Sequence, residues 1–365
     1  MPSKPIAAII VNYHTEVHLL ALLTHLSKEE LIDRIVVVDN SATFAPPKNF
    51  KNLVVLCPQK NIGFGSAVNL AAEQVNTPYL LILNPDVRPL AGSIEALYTA
   101  AKDTGAAVCG PRFFWDEKKF FRLPPAEGTA LFWEIARNLA SFLTPEAKLL
   151  SYYWRTRQEL FWLKNTPFEE PFLSGAALLL DRKQLPGPVF DPRFFLYFED
   201  TDLSLRLNLE GKLQLCVPRA EMIHFWNQSP DPPPGKRALF IESRKKFFQK
   251  YYSASFDLLK LADKAALLRF FLKHKTHNED FYEDLGPLEK LPPLGPLAGK
   301  RVELALNPLF IPFAHTDFLP EGFERLPDEL FGLFPPGRYF LRVVDVYGRV
   351  HQKLTFSKTT PRKQP

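Results

Sequence analysis

The sequence predicts an α/β fold, a mostly parallel sheet flanked by helices, followed by a helical segment and a small C-terminal β-rich module. Three observations carry this expectation. Short apolar, β-branched runs alternate with helix-spaced apolar residues through about the first hundred positions, as βαβ units do. Two of those runs end in acidic turn sequences, at Asp39 and Asp86, and parallel sheets bind ligands at such strand ends. Beyond residue 300 the apolar spacing becomes two, the period of a half-buried strand.

Taken in order, residues 6–11 are a continuous apolar run, expected as a strand buried on both faces. Residues 19–26 have helical spacing, 35–38 are β-branched, 53–56 make another strand, and 64–75 read as a helix rich in small residues. A strand over 79–83, a helix over 90–102 and a strand over 106–109 complete this stretch. From 111 to 171 the rhythm breaks. This segment holds four of the five tryptophans, Trp115, Trp133, Trp154 and Trp162, with Tyr152, Tyr153, Arg155 and Arg157. It reads as an aromatic insertion, helical over 129–163. Strands then follow over 172–180, 213–217 and 222–225, with an aromatic run at 194–198 and a helix over 203–209.

A Pro-rich loop at 230–235 leads into a helix expected over 237–272, which carries Arg244, Lys245, Lys246 and Lys250. Pro and Gly mark 286–299 as a linker. In the module, Tyr339, Leu341 and Val343 alternate, Tyr347 and Gly348 mark a turn, and Leu354 and Phe356 return. That pattern predicts a hairpin and suits an immunoglobulin-like sandwich fragment. The expected domains are therefore 1–235 with the insertion at 111–171, a helical extension at 236–285, the linker at 286–299, and the β-rich module at 300–365. The module follows every candidate catalytic residue and is expected to be dispensable for chemistry.

Composition narrows the function classes. Hydrophobic residues at 46% and charged residues at 23% of 365 allow an ordinary globular core. A net charge of +5 suits a solvated basic face, an anionic ligand such as a diphosphate, or an anionic membrane surface. Nucleic acid is not expected as a partner, because no recognition helix, zinc finger or aromatic RNA-binding signature occurs. Cys57, Cys109 and Cys216 are far apart and lack metal-ligand spacing; they are expected as buried, reduced thiols of a cytoplasmic protein. No secretory leader is evident, and no apolar run reaches the ~20 residues that span a bilayer.

Three acidic motifs carry candidate chemistry. Asp39 closes Val36-Val37-Val38 and precedes Asn40 and Ser41; its carboxylate suits a ribose or base, or caps its own turn. In Leu83-Asn84-Pro85-Asp86 the proline holds Asn84 extended and aims Asp86 out of the sheet end. Mg²⁺ takes one or two such carboxylates together with substrate phosphates. Tyr197-Phe198-Glu199-Asp200-Thr201-Asp202 packs three carboxylates behind an aromatic run. With Thr201 or Asp202 as the N-cap of the next helix, Asp200 remains as a general base, and Glu199 and Asp202 are its rivals. Asn61-Ile62-Gly63-Phe64-Gly65 opens a helix. It is not a dinucleotide fingerprint, since it does not follow the first strand and Val68 replaces the third glycine; a glycine-rich helix start still brings backbone N–H groups near a ligand. His224 is either structural or a second metal ligand beside Asp86.

In this order the motifs resemble those of family 2 glycosyltransferases of the GT-A fold, closest to the bacterial rhamnosyltransferase-like branch that builds surface polysaccharides. The stretches that carry the resemblance are Val11-Asn12-Tyr13, Val38-Asp39-Asn40-Ser41, Asn61-Ile62-Gly63-Phe64-Gly65, Asn84-Pro85-Asp86, Ser174-Gly175-Ala176 and Glu199-Asp200-Thr201-Asp202-Leu203, with His224 and Ser229; they cover about residues 5–252. The resemblance implies a nucleotide-sugar site built from Asn12, Tyr13, Asp39, Asn61, Gly63, Gly65, Asn84, Asp86, Gly175 and Glu199, with Asp39 on the base. It implies Mg²⁺ or Mn²⁺ held by Asp86 and His224, Asn84 standing where the family's metal motif has its first acid. It implies Asp200 as the base of an inverting, single-displacement transfer. The processive signature Gln-x-x-Arg-Trp is absent, so one sugar per encounter is expected. The donor implied first is dTDP-rhamnose, with a UDP-sugar as the alternative. The implied acceptor is a glycan or lipid-linked saccharide at the inner face of the plasma membrane. Peripheral membrane contact would run through the basic helix and the aromatic insertion.

Two rivals remain. A catalytically inactive glycan-binding scaffold of the same fold has no use for a base, so the joint presence of Asp39, Asp86, Asp200 and His224 argues against it. A nucleotidyltransferase would carry a glycine-rich basic loop after its first strand, where this chain has Asn12-Tyr13-His14-Thr15.

Overall fold

In the structure, a computed structural model that describes residues 4–46, 50, 52–128, 144–185, 187–253, 282–292, 294–307, 310, 312–323 and 326–359, strand β1 (Ile6–Asn12) is buried at every position. Only a central strand covered on both faces permits that. The chain divides into two compact units: Met1–Arg112 with Pro125–Leu131 and Trp162–Phe256, and Phe113–Pro124 with Phe132–Phe161 and Asp257–Pro365.

The first unit is built on a nine-stranded sheet. After β1 come, in chain order, α1 (Glu16–Leu26), β2 (Ile32–Asp39), β3 (Leu53–Leu56), α2 (Phe64–Ala72), β4 (Tyr79–Leu83), β5 (Val87–Pro89), α3 (Ser93–Thr104), β6 (Val108–Phe114), α4 (Thr144–Leu163), which belongs almost wholly to the second unit, β7 (Phe168–Glu169), β8 (Ala177–Asp181), α5 (Glu199–Leu209), β9 (Gln214–His224) and α6 (Lys236–Tyr251). The strand order is β3-β2-β1-β4-β8-β6-β9-β5, with β7 also paired to β9. The β3-to-β4 half is parallel. Beyond β4 the pairs β4–β8, β8–β6, β9–β5 and β9–β7 are antiparallel. Helix α2 buries Gly65, Ala67, Val68, Ala71 and Ala72; such small side chains let a helix approach its sheet closely.

Register gathers the candidate residues at one sheet end. Asn12 lies opposite Asp39, and Leu83, the last residue of β4, lies opposite Ala177, the first of β8. The loop 84–86 and the stretch Ser174-Gly175-Ala176 therefore share an edge, tied by the Asn84 N–H donating to the Ala176 carbonyl at 2.8 Å. Antiparallel pairing of Val87 with His224 brings the end of β9 to the same place.

Several local expectations shift. The two strands expected at 213–217 and 222–225 are one, β9, which runs through Pro218. Strand β8 starts at Ala177, leaving Ser174 and Gly175 in the preceding loop. Strand β6 continues past Cys109 to Phe114. The N-cap of α5 is Phe198, so Thr201 and Asp202 lie inside the helix. Cys109 and Cys216 are buried, but Cys57 is exposed. Residues 129–143, with Trp133, and 254–281, the second half of the expected basic helix, lie outside the described residues.

The second unit holds a five-stranded sheet in the order β10 (Glu283–Leu288), β14 (Val350–Lys358), β13 (Gly337–Asp345), β11 (Lys300–Ala305) and β12 (Ala314–His315), with the short helix α7 (Glu329–Leu333). The expected hairpin is β13–β14, with Tyr339 opposite Phe356 and Leu341 opposite Leu354. Among the described residues this is a single sheet rather than a sandwich. Trp115 and Phe121, from the aromatic stretch, are buried in one core with Leu291, Leu294, Leu297, Tyr339 and Phe356. Residues 286–299 thus supply the second half of β10 and three buried leucines to this unit. The buried Glu303 carboxylate pairs with Arg155, Arg301 and Arg342 at 2.7–3.1 Å. Among the described residues, no helix is long and apolar enough to cross a membrane.

Candidate active site

The converging loops enclose a cavity of about 360 Å³ in the first unit. Of the residues expected at the site, Tyr13, Asn61, Gly63, Asn84, Asp86, Gly175, Glu199, Asp200 and His224 line it. Asn12, Asp39 and Gly65 do not; all three are buried behind its wall.

Asp39 is 0% exposed. Its carboxylate accepts from Asn12 Nδ2 at 2.9 Å, from the Ser41 N–H and Oγ, and from the N–H groups of Thr43 and Phe44 at 2.8 Å. Burial pushes its pKa upward, but the donors from Ser41, Phe44 and Asn12 outweigh that and hold it below the usual carboxylate value. With its lone pairs so engaged, Asp39 shapes the turn, and the next residue faces the ligand space. Asn40 lines the cavity and fixes the glycine loop by donating to the Gly63 carbonyl at 3.2 Å and accepting from the Ile62 N–H at 3.3 Å.

Gly63 is required where it stands. Its φ is +83°, and a Cβ there would sit 2.4 Å from the Phe195 carbonyl oxygen, which accepts from the Phe64 N–H at 2.8 Å. The loop 195–198 is thereby clamped to the start of α2. It then turns through two consecutive left-handed residues, Tyr197 at φ 69° and Phe198 at φ 67°, a conformation that costs of order 1–3 kcal/mol per non-glycine residue. Rings of α6 hold the turn: Phe198 packs on Phe240 and Phe247 with centroids 5.3 and 5.4 Å away.

This turn presents Glu199 and Asp200 as the first residues of α5. Asp200 Oδ2 accepts from the Gly175 N–H at 2.9 Å, and Oδ1 accepts from the Thr201 N–H at 2.8 Å. Burial raises the Asp200 pKa, and these two N–H groups oppose the rise. Glu199 differs: its Oε2 is buried without a hydrogen-bond partner among the described residues. Burial, and then the neighbouring Asp200 charge, push its pKa up to about 8. Asp202 is fully buried away from the cavity and binds Arg206 Nε at 2.9 Å, Tyr251 Oη at 2.8 Å and Lys250. It anchors α5 to α6, so of the three carboxylates only Glu199 and Asp200 reach the cavity.

Across the cavity, His224 Nε2 lies 3.6 Å from Asp86 Oδ1. Burial lowers the His224 pKa against the pull of Asp86, which favours the neutral ring with a lone pair to share. A carboxylate oxygen and a neutral imidazole facing one cavity are a donor set that suits a divalent cation completed by phosphate oxygens. Among the described residues no group of three or more His, Cys, Asp or Glu side chains forms a closed metal site.

Comparison with known proteins bears on this geometry. The family model "Glycosyl transferase family 2" matches residues 7–176. The chain is 31% identical over 246 residues to N-acetylglucosaminyl-diphospho-decaprenol L-rhamnosyltransferase of Mycobacterium tuberculosis, in strains CDC 1551 and H37Rv, covering 59% of this chain and 74% of the relative. The chain belongs to glycosyltransferase family 2. Among solved structures it is similar to a mannosyltransferase from Pyrobaculum calidifontis in complex with GDP-Man and Mn²⁺ (13% identity, TM-score 0.45, 75% of this chain and 76% of that one). It is also similar to TarS residues 1–349 of S. aureus (14% identity, TM-score 0.42, 69% and 74%).

Membership makes the chain a glycosyltransferase, and the matched residues form most of the mixed α/β sheet of the first unit. The site also holds residues that the motifs did not single out: Trp226, Asn227, Gln228 and Lys236 line the same cavity. Trp226 and Asn227 adopt φ of 54° and 57°, bending the chain back over the sheet end after β9. Their only sequence signal was position, between His224 and a proline cluster. The aromatic stretch offers less than its composition suggests, because Trp115, Trp154 and Trp162 are buried. Tyr152 and Tyr153 remain exposed there.

Proposed function

We propose that the chain is an inverting, metal-dependent glycosyltransferase that moves one sugar from a nucleotide-sugar donor, dTDP-rhamnose first, to a lipid-linked saccharide in surface polysaccharide synthesis. The observation that carries the reading is that the Asp200 carboxylate lines the same cavity as the Asp86–His224 pair. The name of the mycobacterial relative supports rhamnose and a lipid-linked acceptor.

Transfer breaks the bond between the anomeric carbon and the diphosphate oxygen, forms one to the acceptor oxygen, and releases the acceptor's proton. Asp200 takes that proton: backbone N–H groups hold both its oxygens in place, while burial keeps it basic. An acceptor hydroxyl is a poor nucleophile until relieved of its proton. Glu199, protonated near neutral pH, donates a hydrogen bond to a hydroxyl of the donor sugar. Asp86 and His224 would hold Mg²⁺ or Mn²⁺, which stabilises the charge of the departing nucleoside diphosphate. Asp39 acts through the loop it anchors, setting Asn40 and the glycine turn against the nucleotide.

Membrane contact belongs to the same reading. Helix α6 exposes Phe240 and Ile241 beside Arg237 and Lys245, and Phe240 packs on Tyr197 of the cavity wall at 5.7 Å. A helix of this composition lying on an anionic lipid surface would set the cavity near a lipid-linked acceptor. The test is a screen of nucleotide sugars for release of free nucleoside diphosphate, with and without a polyprenyl-linked saccharide. Release from dTDP-rhamnose is expected; release from UDP-sugars alone moves the donor assignment. No release and no nucleotide binding favours an inactive glycan-binding scaffold.

A further inference from the structure

We infer that Lys236 binds the diphosphate of the donor, an inference that rests on the glycosyl-transfer reading. Asp86, Glu199 and Asp200 all line the cavity, and among its described lining residues Lys236 supplies the one Lys or Arg side chain. A diphosphate entering a site walled by carboxylates is favoured by a fixed cation besides any metal, because like charges repel more strongly away from bulk water.

The geometry leaves Lys236 ready for that role. An ammonium has three N–H donors. Lys236 Nζ donates to Asn227 Oδ1 at 2.6 Å and to the Ser229 carbonyl, both neutral acceptors. Its carboxylate partner, the exposed Asp231, forms a looser ion pair at 3.7 Å. One donor is left for a ligand, and the side chain is only 18% exposed. A half-buried cation whose close hydrogen bonds go to neutral groups, and whose carboxylate partner stands at 3.7 Å, has room for a closer anion. Burial accordingly lowers the Lys236 pKa against the pull of Asp231. Lys236 also opens the sixteen-residue α6, whose N-cap, Gly235, brings no side-chain cap. The partial positive charge of that helix end adds to the ammonium. A free phosphate and a donor diphosphate share this chemistry, so the experiment must separate a nucleotide from its parts.

Calorimetric titration of the full-length chain with dTDP, UDP, thymidine, uridine and inorganic phosphate, in Mg²⁺ and again in chelator, does so. Lys236→Met is expected to weaken the diphosphates by roughly 10–100-fold, as loss of a charge-assisted hydrogen bond does. Nucleoside binding should be unchanged, which also shows that the variant is folded. Lys236→Arg should keep most of the affinity. Asp231→Asn, which removes the competing carboxylate, should tighten the diphosphates. The inference is overturned if Lys236→Met binds dTDP and UDP as wild type does, if inorganic phosphate alone accounts for the Lys236 effect, or if Asp231→Asn weakens them. Wild-type protein that binds neither diphosphate in Mg²⁺ overturns the glycosyl-transfer reading and this inference with it.

Discussion

The backbone N–H of Gly175 donates to Asp200 Oδ2 at 2.9 Å, joining the loop before β8 to the first turn of α5. Glycine eases the contact: a Cβ at 175 would stand 3.2 Å from Asp200 Cβ and 3.3 Å from Oδ2, close enough to push the carboxylate aside by a few tenths of an ångström. The two residues, far apart in sequence, form one unit that aims a carboxylate into the cavity.

Asp200→Asn keeps the shape and removes the basicity. Transfer is expected to fall by about 10²–10⁴-fold, the usual contribution of a positioned base, with nucleotide affinity nearly unchanged. Asp202→Asn is expected to act differently. It loses a buried partner of Arg206, Lys250 and Tyr251 and should lower the melting temperature. Steady-state kinetics with thermal melts on both variants checks the assignment; full transfer by Asp200→Asn would sink it.

Glu199 makes stability depend on pH. Its pKa is about 8 in the folded chain against 4.5 ordinarily. Between those values the folded state holds a proton that the unfolded state has released, so stability falls as pH rises through that window. The slope is at most about 1.4 kcal/mol per pH unit for one proton. Glu199→Gln should flatten this part of the stability–pH curve, measured by denaturant unfolding between pH 5 and 8. An unchanged slope would show that Glu199 titrates normally.

Much of this site is legible in sequence, and the rest is hidden for identifiable reasons. The continuous runs of β1, β2 and β4 announce buried strands, and the turn sequences after them announce Asp39, Asp86 and the edge they share. Asp39 stays open in sequence because a strand-end carboxylate looks the same whether it faces a ligand or its own turn; the Ser41, Thr43 and Phe44 donors are what the fold adds. Strand β9 reads as two because Pro218 and the exposed Arg219 interrupt its apolar run, and a proline demotes a strand. Lys236 sits behind Pro232-Pro233-Pro234-Gly235, a loop signal that says nothing of what the loop covers. The burial of Trp115 and Phe121 with Leu291 and Phe356 is a long-range pairing without any local signature.

Removal of the metal is expected to stop turnover. Asp86 and His224 would supply two donors, too few to hold Mg²⁺ or Mn²⁺ without diphosphate oxygens, so under the proposed function the ion should bind with the nucleotide rather than before it. Excess chelator should abolish donor hydrolysis, and Asp86→Ala should remove the metal dependence of nucleotide affinity while leaving the melting temperature close to wild type. Full turnover in chelator would count against the assignment.

Liposome flotation checks the membrane surface of α6. Each basic residue near an anionic surface contributes about 1 kcal/mol, and Phe240 and Ile241 add apolar contact. Binding to phosphatidylglycerol vesicles at low salt is expected, lost in Phe240→Ser with Ile241→Ser. Equal binding by the double variant would place the contact elsewhere.

Truncation after Leu285 tests what the C-terminal residues do. The position of 300–365 behind every candidate catalytic residue suggests a dispensable module. The packing argues for a different outcome, because the cut removes Leu291, Leu294, Leu297, Val302, Tyr339 and Phe356, the partners of Trp115 and Phe121 in one core. It also removes Glu303, Arg301 and Arg342, leaving Arg155 without its buried carboxylate. Trp115 stacks on Phe334 at 4.9 Å, and that face would meet water. Uncovering two large aromatic side chains costs of order 1.5–3 kcal/mol each, enough to make an exposed patch that aggregates. The shortened chain is therefore expected to be insoluble or to bind a hydrophobic dye strongly, whatever its catalytic residues can do. Restoring polarity with Trp115→Gln and Phe121→Ser in the truncated chain should recover solubility. If it does, donor hydrolysis by that soluble form then reports whether the first unit carries the chemistry alone. A truncated chain that is monomeric, dye-silent and soluble without those substitutions would show that Trp115 and Phe121 find other cover, and that the shared core is not what ties these segments together.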